Sequence, residues 1–151
     1  MKKKYQQGIS LLEVLLSLSI IAIILIMATR YFFMATDNSR LNQARAQIGA
    51  VMAAATGWET EHADVSGLTV TTLLEDRFLA RTKDVIGAQG SEELISPWKT
   101  PVTLVADSSS DGRAISLVVP NKEVCARLAS AFSGASCDDN TIVVPLSDDN
   151  A

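Results

Sequence analysis

Residues 1–29 read MKKKYQQGISLLEVLLSLSIIAIILIMAT, and no other stretch of the chain constrains its fold as strongly. Lys2, Lys3 and Lys4 precede an apolar run, and Val14 through Thr29 carries no charged residue. Positive charge ahead of such a run directs a chain into a membrane with the lysines held on the cytoplasmic side. Ile9 to Thr29 is 21 residues, about 31 Å as a helix and long enough to cross the hydrocarbon layer. A buried helix of a soluble domain would keep a polar face, and Ser17 and Ser19 hardly make one. A removable secretory signal, cleaved near Ala35, and a plain single-span anchor are the rival readings. Neither accounts for Glu13. A carboxylate inside a membrane-directed stretch is costly unless it finds a partner or a proton.

Away from that arm the composition changes. The 151 residues are 48% hydrophobic and 20% charged, with a formal net charge of −4. Without the three leading lysines, ten basic residues face seventeen acidic ones, a net −7. Such a body has little attraction for nucleic-acid phosphates, so no nucleic-acid partner is indicated. The two cysteines, Cys125 and Cys137, lie close together in sequence. If the body is exported they read as one disulfide, and in a reducing compartment their proximity carries no such meaning.

The segment GISLLEVLLSLSIIAIILI resembles the conserved start of type IV prepilins and pseudopilins. That resemblance implies cleavage after Gly8 by a prepilin peptidase, N-methylation of the new terminus at Ile9, and an assembly role for Glu13 at the fifth mature position. Leu12, Leu15, Leu16 and Ile20 would supply the apolar packing around that acid. Ile9 in place of phenylalanine, and the lack of proline between Ile9 and Pro97, depart from the type IVa pattern and favour the type IVb side. The partners implied are copies of the chain or other pilins, the peptidase, the inner-membrane assembly machinery and, before assembly, lipid. The location implied is the bacterial inner membrane, then an extracellular pilus with the body on the periplasmic or extracellular side.

Beyond Thr29 the apolar residues Leu41, Ala44, Ile48, Val51, Met52, Ala55 and Trp58 fall at three- and four-residue steps, one helical stripe. A single helix from Ile9 to Thr60 would be roughly 78 Å long. Asp37, Asn38, Ser39 and Gly49 are its weak points, and two helices with a turn at Asp37–Ser39 remain the alternative. The expected organisation is a leader at 1–8, an apolar half-helix at 9–36, an amphipathic half at 37–60 and an α+β body at 61–151. The fold expected is pilin-like: the long helix laid against a small antiparallel sheet.

Within the body, Glu61–Gly67 reads as a polar connector. Val70–Lys83 reads as a helix capped by Thr71 or Thr72, and Gly87, Gly90 and Ser91 mark a loop. Strands are expected at Val102–Ala106, Ala114–Val119 and Thr141–Leu146, the first two joined by a DSSSDG turn. Asn121 should cap a helix from Lys122 to about Phe132. The order hairpin, VPNKEVCARL helix, second cysteine and closing strand resembles the PilS-type branch of type IVb pilins. There a C-terminal disulfide ties a surface region to the sheet, the role implied for Cys125 and Cys137, with Ser133–Ser136 as a surface loop.

No enzyme centre is indicated. His62 stands alone in a polar connector, no local motif supplies a nucleophile and an orienting acid, and Gly87–Gly90 is no phosphate loop. CDDN at 137–140 and SDDN at 147–150 offer oxygen ligands of the kind calcium takes, but without the spacing of a calcium loop, so no metal or cofactor is assigned. The resemblance leaves a major pilin, a minor pilin or secretion pseudopilin, and an unrelated anchored binding module as the function classes. The cysteine pair is uncommon in secretion pseudopilins.

Overall fold

The computed structural model describes residues 10–62, 67–106 and 112–146. The chain divides into two compact units, residues 1–38 and 39–151.

Helix α1 runs unbroken from Leu11 to Glu61, so Asp37, Asn38 and Ser39 stay helical. The Ser10 carbonyl accepts from the Glu13 and Val14 amides and opens the helix. In the first unit its large apolar side chains, from Leu11 to Met34, are exposed. Its hydroxyls turn back onto the helix: Ser17 donates to the Val14 carbonyl at 2.9 Å, Ser19 to Leu16 at 2.7 Å and Thr29 to Leu25 at 2.7 Å. That arrangement suits lipid, where every polar group must be satisfied from within.

In the second unit α1 buries Leu41, Ala44, Ile48, Val51, Ala54 and Ala55. Met52 and Trp58, expected on that stripe, are only half-buried beside the core, and Ala54 takes a place in it. The stripe shares one core with Leu94, Val102, Ile115, Leu117, Ile142 and Val144 from a sheet.

The sheet is antiparallel with six strands: β1 (Val85–Ile86), β2 (Glu93–Ile95), β3 (Pro101–Ala106), β4 (Arg113–Val118), β5 (Ser136–Asp138) and β6 (Thr141–Pro145). Their order is β1-β2-β3-β4-β6-β5. Alternation sets the packing. Leu94, Val102, Leu117 and Ile142 align across four strands in register, and Leu104, Ile115 and Val144 align across three. These residues point to the core, whereas Thr103, Ser116 and Val143 form a row on the other face. The closing strand β6 lies between β4 and β5, and Pro145 sits at its end, beyond the three-residue β5.

Two helices complete the body. α2 (Val70–Glu75) is capped by Thr69, whose hydroxyl accepts from the Thr72 amide at 3.1 Å, in place of the expected Thr71 or Thr72 cap. It stops eight residues short of Lys83. Arg77 takes a left-handed conformation, φ 65°, and the Leu79 amide closes back on the Leu73 carbonyl at 2.9 Å. Leu79 reaches the core through this turn rather than along a helix face. α3 (Lys122–Ala129) is capped by Asn121, whose side chain accepts from the Val124 amide at 2.9 Å. It ends three residues before Phe132 and packs on β5 and β6.

Candidate functional site

Glu13 is the acidic residue in the first turn of α1. Helix geometry sets Glu13, Leu16 and Ile20 on one face, at i, i+3 and i+7, with Leu12 and Leu15 flanking them. All five are exposed. Among the described residues, Glu13 is the one polar side chain of Leu11–Thr29 with no hydrogen bond or ion pair. A carboxylate near a helix N-terminus is favoured by the free N–H groups and the helix dipole. Gly8 and Ile9 lie outside the described residues.

The prokaryotic N-terminal methylation motif matches residues 3–29. Over that stretch the chain carries a prokaryotic N-terminal methylation motif. The match spans Gly8, Ile9 and Glu13 and supports a type IV pilin-like class, whose proteins are structural and pass through a prepilin peptidase into pilin-type assemblies. α1 is the one described helix long and apolar enough to cross a membrane, which fits membrane anchoring of a chain with this motif. No curated protein and no solved structure matches this sequence.

At the far end of the body, Cys125 of α3 and Cys137 of β5 form a disulfide, with Cα atoms 6.0 Å apart across 12 residues of sequence. Cys125 is buried and Cys137 half-buried. The segment between them is not all loop, because Ser136 already belongs to β5 and pairs with Val143. CDDN is the β5–β6 hairpin: Asp138 pairs with Thr141, and Asp139 turns the chain in a left-handed conformation, φ 48°. Among the described residues no three His, Cys, Asp or Glu side chains gather as metal ligands. SDDN at 147–150 lies outside the described residues.

His62 is more than a solvated connector residue. Its ring stacks on Trp58 at 3.7 Å, and its amide continues the helical pattern by donating to the Trp58 carbonyl at 2.8 Å. A groove of about 530 Å³ runs between Ala46, Ala50 and Ala53 of α1 and the Phe78–Asp84 segment. Its ionisable wall residue, Asp84, accepts from Gln47 at 3.2 Å, and no histidine or cysteine lines it.

Sequence reasoning passed over one further cleft, of about 430 Å³, between Arg40 and the Pro97–Thr100 turn. Its signal was present in SPWKTP, where a tryptophan and a lysine stand side by side between two prolines. Arg40 comes from α1, 57 positions earlier than Pro97, and nothing in the sequence pairs the two.

Proposed function

We propose that this chain is a structural subunit of a type IV pilus-like filament. It is made as a precursor, cut between Gly8 and Ile9, methylated at Ile9, and held in the inner membrane by the apolar half of α1. It then polymerises with copies of itself or other pilins into an extracellular filament. The observation that carries this reading is Glu13, a carboxylate unpartnered among the described residues, on an exposed apolar face inside a matched methylation motif.

Cleavage leaves the Ile9 amine at the end of an apolar helix, where a lone charge is costly. Glu13 of a neighbouring subunit supplies the compensating charge and accepts charge-assisted hydrogen bonds from that amine. Leu12, Leu15, Leu16 and Ile20 add packing without direction, so the acid sets the register. The Cys125–Cys137 link between α3 and β5 favours the type IVb side and a body exposed to an oxidising compartment.

The test is made in a bacterium that supplies a prepilin peptidase and assembly machinery. Intact mass of the native subunit should show loss of residues 1–8 and a methylated Ile9, and Gly8→Leu should retain the leader. Glu13→Ala should be processed and membrane-inserted yet nearly absent from sheared filaments. A normal yield of filaments from fully processed Glu13→Ala subunits sinks the assembly mechanism.

A further inference from the structure

The cleft beside Arg40 belongs wholly to the unit 39–151 and is built on a rigid turn. Ser96, itself buried, accepts through its hydroxyl from the Trp98 and Thr100 amides, both at 3.2 Å. The Thr100 hydroxyl donates to the Val118 carbonyl at 2.7 Å and ties the turn to β4. Lys99 is held in a left-handed conformation, φ 63°, which a non-glycine residue adopts only where its surroundings enforce it. Half-buried Trp98 and exposed Lys99 thus stand on a fixed backbone, and exposed Arg40 and Val118 line the same cleft.

The charges there are unspent. Arg81 is paired with Glu92 at 3.0 Å, whereas neither Arg40 nor Lys99 has an ion-pair partner or side-chain hydrogen bond among the described residues. Asp138 pairs with Thr141, and Thr141 with Val118. That acid therefore lies two strand spacings from the cleft wall, about 10 Å, where salt screens it.

An acidic segment follows the opposite end of the sheet. The Leu146 amide donates to the Arg113 carbonyl at 2.9 Å, and Arg113 and Val118 are the two ends of β4. The chain therefore leaves β6 about 17 Å of strand away from the cleft. Ser147, Asp148 and Asp149 come next in sequence. Asp148 and Asp149 follow Leu146 by at most about 7 and 11 Å of extended chain, so folded back on their own body they stop short of the turn.

We infer that the cleft of one copy takes the acidic segment Ser147–Asp149 of a second copy, with Asp148 and Asp149 paired to Arg40 and Lys99. The inference rests on the filament proposed above and names a contact within it. Charge selects the occupant. Bodies with an excess of acid repel one another, and this cleft gives an acidic segment a complementary place to dock. Asp138 and Asp139 belong to the β5–β6 hairpin at the cleft's own end of the sheet, whereas Asp148 and Asp149 follow the last strand at the other. Trp98 and Val118 keep water from one side of the pairs, which strengthens them. Exposed ion pairs give orientation more than affinity, so this contact sets how successive bodies turn while apolar packing of the arms holds them. Each copy gives at one end of β4 and receives at the other. Such a heterologous contact builds an open filament wherever its rotation does not close a ring.

The test is carbodiimide coupling of the full chain, which joins an amine to a carboxylate where the two already meet as an ion pair, followed by peptide mass mapping. In sheared filaments Lys99 should be joined to Asp148 or Asp149. The coupling should fall about tenfold or more when the same subunits are dispersed at low concentration in detergent. Asp148→Asn/Asp149→Asn should abolish it. If that variant gives no filaments, Arg40→Gln, which keeps the Lys99 amine, should weaken it instead. Equal coupling in filaments and in dispersed subunits marks the chain's own segment and overturns the contact between copies. Lys99 joined to Asp138 or Asp139 marks a meeting of like ends, and an uncoupled Lys99 in native filaments marks a cleft that the segment does not enter; either result overturns it as well. A chain correctly cut at Gly8 that forms no filaments would instead overturn the filament reading beneath it.

Discussion

Glu13 and Asn121 both stand at the start of a helix, and the difference between them separates the proposed assembly role from stability. The Asn121 side chain accepts from the Val124 amide, a local bond worth about 1 kcal/mol at such a cap. Asn121→Ala should lower the stability of the body by roughly 0.5–2 kcal/mol, read as an earlier denaturant midpoint with an unchanged slope. It should leave filament yield intact wherever the body stays folded. Glu13 makes no such bond, and its removal should do the opposite: no change in the unfolding of the body, but loss of assembly. The Asn121 cap was legible in the sequence because asparagine before KEVCARLA follows a local rule. The Thr69 cap was misplaced by two or three residues, since three threonines stand together in TVTT and only the fold decides which hydroxyl meets the free amide.

Elements were legible in proportion to their length and periodicity. The stripe from Leu41 to Ala55 announced α1 because a 3.6-residue repeat sustained over many turns has no other reading. β1, β2 and β5 hold two or three residues each and so carry no alternation to detect; they exist because longer neighbours template them. The early end of α2 was hidden for a different reason. Leu73, Leu74, Phe78 and Leu79 keep helical spacing in sequence, yet a left-handed Arg77 delivers Leu79 to the core by a turn. Gly87 lies in the hairpin between β1 and β2 with φ 108°, and a Cβ there would collide with the Ser91 carbonyl. Gly87→Ala should therefore cost more than about 1 kcal/mol, visible as a lower melting temperature of the body. Reduction of Cys125–Cys137, or a double change to serine, should cost about 2–4 kcal/mol by freeing the α3–β5 connection. Alkylation of the exported, unreduced protein should find both thiols blocked, and two reactive thiols would contradict the bond.

At the scale of the molecule, the residues that make the fold and the residues proposed to make the filament belong to separate units. Every buried hydrophobic residue described, from Leu41 onward, lies in the unit 39–151. The exposed run from Leu11 to Met34 lies in the unit 1–38 and contributes nothing to that core. A chain cut before Ser39 should therefore fold as a soluble body, keeping its disulfide and one cooperative thermal transition, while the full-length chain needs detergent or lipid. Within that truncated body, Ile48 is fully buried between α1 and the sheet, and Ile48→Ala should cost about 2–5 kcal/mol through lost transfer energy and the cavity left behind. The same substitution in the full-length chain should leave membrane insertion and leader cleavage unchanged, because both depend on residues far upstream. Circular dichroism of the truncated protein, set beside intact mass of the membrane-inserted one, separates the two effects. If Ile48→Ala blocked processing as well as folding, or if the body from Ser39 onward collapsed without residues 1–38, then the apolar arm would be part of the folding unit and not only of the assembly.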